Sequence, residues 1–161
     1  MFREMRRNNQ LLSLTECEEI LRRNTSGVLA VCGDEGYPYT VPLSYVYLDG
    51  ALYFHCANEG HKLDAIRGCD KVSFCVIDKD DIVGEEYTTY FRSVVAFGRA
   101  RVMEGEEKFK PLVALCEKYY PGHLDHTEPK AAGALSRTCL VEISVEHMTG
   151  KEAVELTRGK T

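Results

Sequence analysis

Two short runs in this chain carry residue types able to do chemistry. Tyr53-Phe54-His55-Cys56-Ala57-Asn58-Glu59-Gly60-His61-Lys62 passes from strand-like alternation into a glycine-centred turn that presents a histidine and a lysine. A helical stretch, Leu63-Asp64-Ala65-Ile66-Arg67, follows at once. Backbone amides at a helix start, joined by the Lys62 ammonium, bind phosphate through hydrogen bonds and charge. The same spacing also suits an ordinary solvated turn, since every helix start leaves amides free. His55 exchanges a proton near neutral pH and so suits general acid chemistry, although a histidine in an alternating strand is commonly just packed or hydrogen-bonded. The second run, Gly36-Tyr37-Pro38-Tyr39-Thr40-Val41-Pro42-Leu43-Ser44-Tyr45-Val46-Tyr47, reads as an extended strand feeding a turn at Asp49-Gly50. Pro42 removes an amide donor there, which fits a sheet edge or an interrupted ladder, with or without a ligand.

Other clusters carry less. His123-Leu124-Asp125-His126 offers metal ligands, but one short cluster rarely completes a tetrahedral shell, and no metal site is expected. Tyr87-Thr88-Thr89-Tyr90-Phe91-Arg92 could cover a ligand or form a subunit contact. Asp78-Lys79-Asp80-Asp81 and Glu104-Gly105-Glu106-Glu107 read as solvated turns.

The elements that must position these residues are mostly strands. Ser13-Leu14-Thr15-Glu16 matches a capping box, with Leu14, Cys17, Ile20 and Leu21 on one helical face, so a helix is expected over about 13–24. Extended segments follow near Gly27–Cys32, Tyr37–Leu48, Ala51–Cys56, Val72–Asp78, Tyr90–Met103 and Thr138–Thr149. The strands around Asp49-Gly50 make a hairpin that ends at the phosphate corner. A second helix is expected from about Glu106 to Tyr120, with its start blurred by Pro111, then a turn-rich stretch from Pro121 to Lys130 and a short helix at Ala131–Leu135. Sequential strands with few helices favour a small closed β-barrel with peripheral helices, spanning about 27–149, over a doubly wound parallel sheet.

At 161 residues the chain suits one domain, 1–161. Its seven cysteines form no CxxC pair, which disfavours a zinc ribbon and a secreted disulfide framework; reduced thiols are expected. A net charge of -5 gives no general pull toward nucleic acid. No apolar run is long enough to span a bilayer, and the basic N-terminus leads into a polar helix instead of an apolar signal core, so a cytoplasmic location is expected.

The ordered series Gly36-x-Pro38-x-x-Val41-Pro42-Leu43-Ser44, Leu52-Tyr53-Phe54-His55-x-Ala57-x-x-Gly60-x-Lys62, Val72-Ser73-Phe74, Tyr90-x-x-Ser93-Val94-x-x-x-Gly98 and Met148-Thr149-Gly150-Lys151 resembles the pyridoxamine 5'-phosphate oxidase-like flavoproteins. Their Nim-type, nitroimidazole-resistance-related branch is the most similar. The resemblance implies a split β-barrel homodimer with FMN at the subunit interface. Val41, Pro42, Leu43 and Ser44 would border the flavin ring, and His55, Gly60, His61 and Lys62 would line its phosphate and ribityl end. Ser93 matches a flavin-contacting position, and the residue equivalent to His55 stands near the flavin in that branch. True pyridoxamine phosphate oxidases carry arginine at the Val41 position, arginine-lysine where this chain has His61-Lys62, and a basic, aromatic C-terminal segment. Vitamin B6 oxidation is therefore disfavoured, and reduction of a small molecule, with nitroaromatics one class, is the expected activity. The alternative is a non-catalytic flavin- or haem-binding protein for sensing, storage or delivery, with His55, His61 or His147 as haem ligands; a deazaflavin is a third option.

Overall fold

The computed structural model describes residues 1–157, apart from the side chain of Leu124. In chain order its elements are α1 (Leu14–Arg23), β1 (Ser26–Cys32), β2 (Pro38–Ser44), β3 (Val46–Leu48), β4 (Ala51–Cys56), α2 (His61–Gly68), β5 (Lys71–Val83), β6 (Thr88–Val102), α3 (Phe109–Tyr119), α4 (Thr127–Ala134), β7 (Cys139–Glu152) and α5 (Val154–Thr157). The capping box at the start of α1 forms as expected. Ser13 Oγ accepts from the Glu16 amide at 3.2 Å, and the Glu16 carboxylate accepts from the Ser13 amide at 2.8 Å. Helix α3 follows a 3-10 turn at Gly105–Lys108 and tolerates Pro111 in its first turn, where an amide has no acceptor to lose. Helix α4 starts earlier than expected, at Thr127, and carries Pro129 in its first turn for the same reason.

The strands make one antiparallel sheet in the order β2-β1-β5-β6-β7-β4-β3. Its two edges, β2 and β3, are consecutive in sequence and separated only by Tyr45. The sheet must therefore curl until its edges almost meet, yet the ladder stays open between them: the expected barrel is split. The single expected strand Tyr37–Leu48 is thus two. β2 pairs with β1, setting Pro42 opposite Val28, while β3 pairs with β4, setting Val46 opposite Tyr53. Only β3 and β4 share the hairpin, whose turn places Asp49 and Gly50 at φ 50° and 82°. The break has a packing cause. The Tyr45 side chain is fully buried, donates its hydroxyl proton to the Leu21 carbonyl at 2.8 Å, and sets its ring edge-on to Phe74.

Tyr119, at the end of α3, closes this seam. Its hydroxyl accepts from the Tyr45 amide at 2.9 Å and reaches the carbonyls of Tyr45 and Thr25. Two apolar layers flank the sheet. Inside the curl, Leu29, Leu52, Phe54, Phe74, Val76 and Ile143 pack with Ile20 and Leu21 of α1 and Leu63 and Ile66 of α2. Outside, Tyr53, Leu140 and Val46 pack against Leu112 and Leu115 of α3 and Ala131 of α4.

Two positions test this packing. At Gly98, beside an irregularity in the β6–β7 register, a Cβ would sit 2.2 Å from the Ser144 carbonyl oxygen, so backbone must move to admit it. Gly98→Ala is expected to destabilise the fold by roughly 2–4 kcal/mol, read from the denaturant midpoint. At the seam, the Lys118 ammonium lies over the Tyr45 ring, 4.3 Å from its centre, with no hydrogen-bond partner. Burial lowers its pKa from 10.5 to about 8. The unfolded chain therefore binds more protons than the folded one between about pH 8 and 10.5, and the folded state recovers the cost as pH rises. Lys118→Met is expected to stabilise the protein at pH 7 by about 1–2 kcal/mol, and its advantage should shrink through that window in thermal melts taken at several pH values.

Candidate functional site

The expected site residues start from edge strand β2. Its burial alternates, with Pro38, Thr40, Pro42 and Ser44 exposed and Tyr39, Val41 and Leu43 half-buried toward the interior. An edge strand tolerates Pro42 because no neighbour needs its missing amide. Inward-pointing Tyr39 stacks on His61 of α2, ring centres 4.2 Å apart. One end of β2 therefore abuts the start of α2. At the other end, Ser44 and His55 line a single cavity of about 290 Å³. The segment joining β4 to α2, residues 56–60, thus runs from near the Ser44 end of β2 to near its Tyr39 end, positions about 17 Å apart at a strand rise of ~3.3 Å per residue.

Gly60 begins α2 with φ 129°, a conformation suited to glycine, and nothing lies within 4 Å of where its Cβ would be. It offers no side-chain cap; its carbonyl accepts from the Leu63 and Asp64 amides. The first-turn amides of His61 and Lys62 have no intrahelical acceptor. Of the two basic side chains here, His61 has a partner, its Nε2 lying 3.3 Å from Asp34 Oδ2 in the turn between β1 and β2. Half-buried Lys62 has no carboxylate partner among the described residues, and its charge is felt at the Cys56 thiol. A lysine without a carboxylate partner, on the first turn of a helix whose amides are free, suits an anion.

His55 lies on the opposite face of β4 from buried Leu52 and Phe54, with its ring exposed toward α3 and α4. Leu112, Leu115, Cys116, Tyr119, Tyr120, Lys130, Ala131, Ala134 and Thr138 complete its cavity, so the walls are apolar, the mouth is cationic and no carboxylate lines it. Such a chamber can take a small, flat ligand and give it a proton from imidazole. Ser93 is elsewhere, half-buried on the outer side of β6 between Ile77 and Lys151. A larger hollow of about 450 Å³, around Phe2, Cys32 and Lys71, holds none of the expected residues.

One chain therefore joins Val41–Ser44, His55 and Gly60–Lys62 along the seam and leaves Ser93 on a separate surface. Tyr39, Asp34 and Tyr119 went unrecognised in the sequence. Tyr39 carried a faint signal, as an aromatic at an inward position of the strand; a helix C-terminal tyrosine sealing a seam carries none.

A sequence profile for pyridoxamine 5'-phosphate oxidase matches residues 13–152. No curated protein matches the chain. Among solved structures, an FAD-binding protein of Mesorhizobium loti is 30% identical, with a TM-score of 0.66 over 89% of this chain and 97% of its own. A protein of Bacteroides thetaiotaomicron, provisionally named for 5-nitroimidazole antibiotic resistance, is 23% identical with a TM-score of 0.74, covering 88% and 86% of the two chains. An FAD and heme binding protein of Mycobacterium smegmatis is 19% identical with a TM-score of 0.78, covering 90% and 73%. The last two share the fold.

Proposed function

The chain belongs to the pyridoxamine 5'-phosphate oxidase family, and from that premise we propose that it is an FMN-binding oxidoreductase of the split-barrel type acting on a small molecule. The observation that carries this reading is the seam itself: an edge strand interrupted by proline, with an unneutralised lysine and free helix amides at one end and a histidine-lined cavity at the other. These residues fit a flavin mononucleotide. Lys62 and the amides of His61 and Lys62 would hold the phosphate, Val41 to Ser44 would border the ring largely through backbone, and Gly60 leaves room for close approach. When bound, the flavin supplies two-electron chemistry. The chain's part is to exclude water with the apolar walls of α3 and α4 and to set the His55 imidazole where it can exchange a proton with a substrate in the cavity. Nitroaromatics suit such a flat chamber.

The experiment is flavin titration of the purified protein followed by visible absorption and by chromatography of the released cofactor. FMN is the expected flavin; released FAD would leave the fold assignment intact and move the anion corner to an internal phosphate. A Soret band in place of flavin bands would favour the haem-binding alternative. Lys62→Ala is expected to weaken FMN binding by about 1.5–3 kcal/mol, roughly tenfold to a hundredfold. His55→Ala should lower turnover of a nitroaromatic substrate while leaving flavin affinity within about twofold.

A second copy completes this reading. The outer side of the sheet carries an apolar belt: Val28 opposes Cys75, Cys75 opposes Val95, and the next row holds Ile77, which is 61% exposed. The hairpin made by the ends of β5 and β6 extends the belt with Ile82 at 83% and Tyr87 at 98% exposure. Ser93 belongs to the same surface, so a homodimer built on it would carry one subunit's Ser93 toward its partner's seam. Seven free thiols accord with a cytoplasmic location. Ile77→Asp touches no interior packing and is expected to convert the dimer to monomer and to lower flavin affinity, measured by light scattering and by flavin titration.

A further inference from the structure

The cavity around His55 does not end at its own walls. A second hollow, of about 330 Å³, adjoins it and shares Cys116, Tyr120 and Lys130 as lining. At about 290 Å³ the first stands at the lower limit of clefts that hold small organic ligands, roughly 300–1,000 Å³, and the two joined fall inside that range. Ser44 and His55 line only the first, whose walls from α3 and α4 are largely apolar, whereas His123, His126 and Thr127 line only the second. The joined space is therefore apolar where it meets the seam and basic where it leaves it.

The chain holds 25 acidic residues and a net charge of -5, yet no aspartate or glutamate lines either hollow. Glu117 of α3, Glu128 of α4 and Asp125 between them are exposed and stand outside both linings. Lys130 of α4 has no carboxylate partner among the described residues, in contrast to Lys79 and Lys110. Its ammonium lies over the Tyr120 ring, 4.8 Å from the centre, and both residues belong to the boundary that the hollows share. Buried Thr127, whose hydroxyl donates to the His123 carbonyl at 3.4 Å, anchors the turn that presents both histidines. These bases do not make a metal site: among the described residues no three His, Cys, Asp or Glu side chains are grouped to hold an ion. Positive charge left uncompensated in a cleft of an acidic protein is matched by an anion. One ammonium with imidazole N–H donors beside it suits a singly charged group.

We propose that the two hollows form one chamber selecting small, flat substrates that carry a carboxylate or sulfonate, an inference that rests on the reading of the His55 cavity as the substrate site. Lys130 holds the anionic group at the shared boundary, with His123 and His126 as further donors. The apolar body of the molecule then lies between α3 and α4 and directs its other end toward His55 and Ser44. Lys130 is in this sense a specificity-determining residue, remote from the phosphate corner at Lys62 and independent of it. A neutral molecule of the same shape fills the apolar part but leaves the ammonium without a counter-charge, so the chamber discriminates by charge and not by size.

The test is isothermal titration of the full-length protein, as purified, with 4-nitrobenzoate and with 4-nitrobenzamide, which match in size and differ in charge. It needs no turnover. The benzoate is expected to bind about tenfold more tightly than the amide. Lys130→Met should remove that preference with the melting temperature unchanged and the amide's affinity within about twofold, and Lys130→Arg should keep it. Equal affinities in the wild type, binding of neither compound, or a preference that survives Lys130→Met would each overturn the proposal. Charge preference in binding, with neither compound reduced by the flavin-loaded protein, would sink the reductase reading and leave the chamber standing. Reduction of both compounds with no preference in binding would do the reverse.

Discussion

Everything else in this molecule depends on two sheet edges that stand one residue apart in sequence. β2 and β3 occupy opposite ends of the strand order, so the residue between them must bridge the mouth of a curled sheet. Tyr45 does so because its side chain finds a buried place against Phe74 and an acceptor in Leu21, and because Tyr119 takes up the amide that a continuous ladder would have satisfied. A fully closed barrel would bury the same apolar interior but would pair every edge group with another strand. Here the groups along β2 stay unpaired on one side, which is the usual liability of an edge strand. Pro42, which has no amide to offer a further strand, blunts that liability.

The fold was legible where one residue's chemistry decides local structure. Ser13 and Glu16 announced α1, Asp49-Gly50 announced the β3–β4 turn, and Pro42 announced an edge. The seam was not legible, because Val41 to Tyr47 has unbroken strand propensity and nothing local marks Tyr45 as the point of division. That division is tertiary: it follows from where Leu21, Phe74 and Tyr119 lie, all distant in sequence. The same holds for the site. Gly60-His61-Lys62 could be read as a possible anion corner, whereas its neighbour Tyr39 and the partner of His61, Asp34, come from a strand and a turn that only the fold brings near.

A second constraint holds the long β5–β6 hairpin to the body. Where the β5–β6 register slips between Ile77 and Lys79, Asp78 is the extra residue, and it receives Arg23 and Asn24 from the end of α1. Arg92 of β6 lies 3.6 Å from the same carboxylate and 3.0 Å from Glu152, which is almost wholly buried. Burial alone would raise the Asp78 pKa, but the donors from Arg23 and Asn24 outweigh it and hold the carboxyl below its usual range. Removing one member of such a chain strands the others, so its cost exceeds that of an isolated surface pair. The network therefore fixes the angle at which the apolar tip, with Ile82 and Tyr87, leaves the sheet.

The electrostatics of the anion corner follow from the same economy of neighbours. α2 is short, so its dipole is modest, and the net charge of the chain is negative. An anion is drawn to this point only if local charge prevails over the global field. Asp34 works against that by engaging His61, and the balance rests on Lys62, which is half-buried in the first turn of α2 and has no carboxylate partner among the described residues. Interchanging these two residues would place the lysine against Asp34 and leave an imidazole, only partly charged at neutral pH, facing the amides. Residue order within Gly60-His61-Lys62, and not its composition alone, therefore sets the charge that the end of the seam presents to a phosphate.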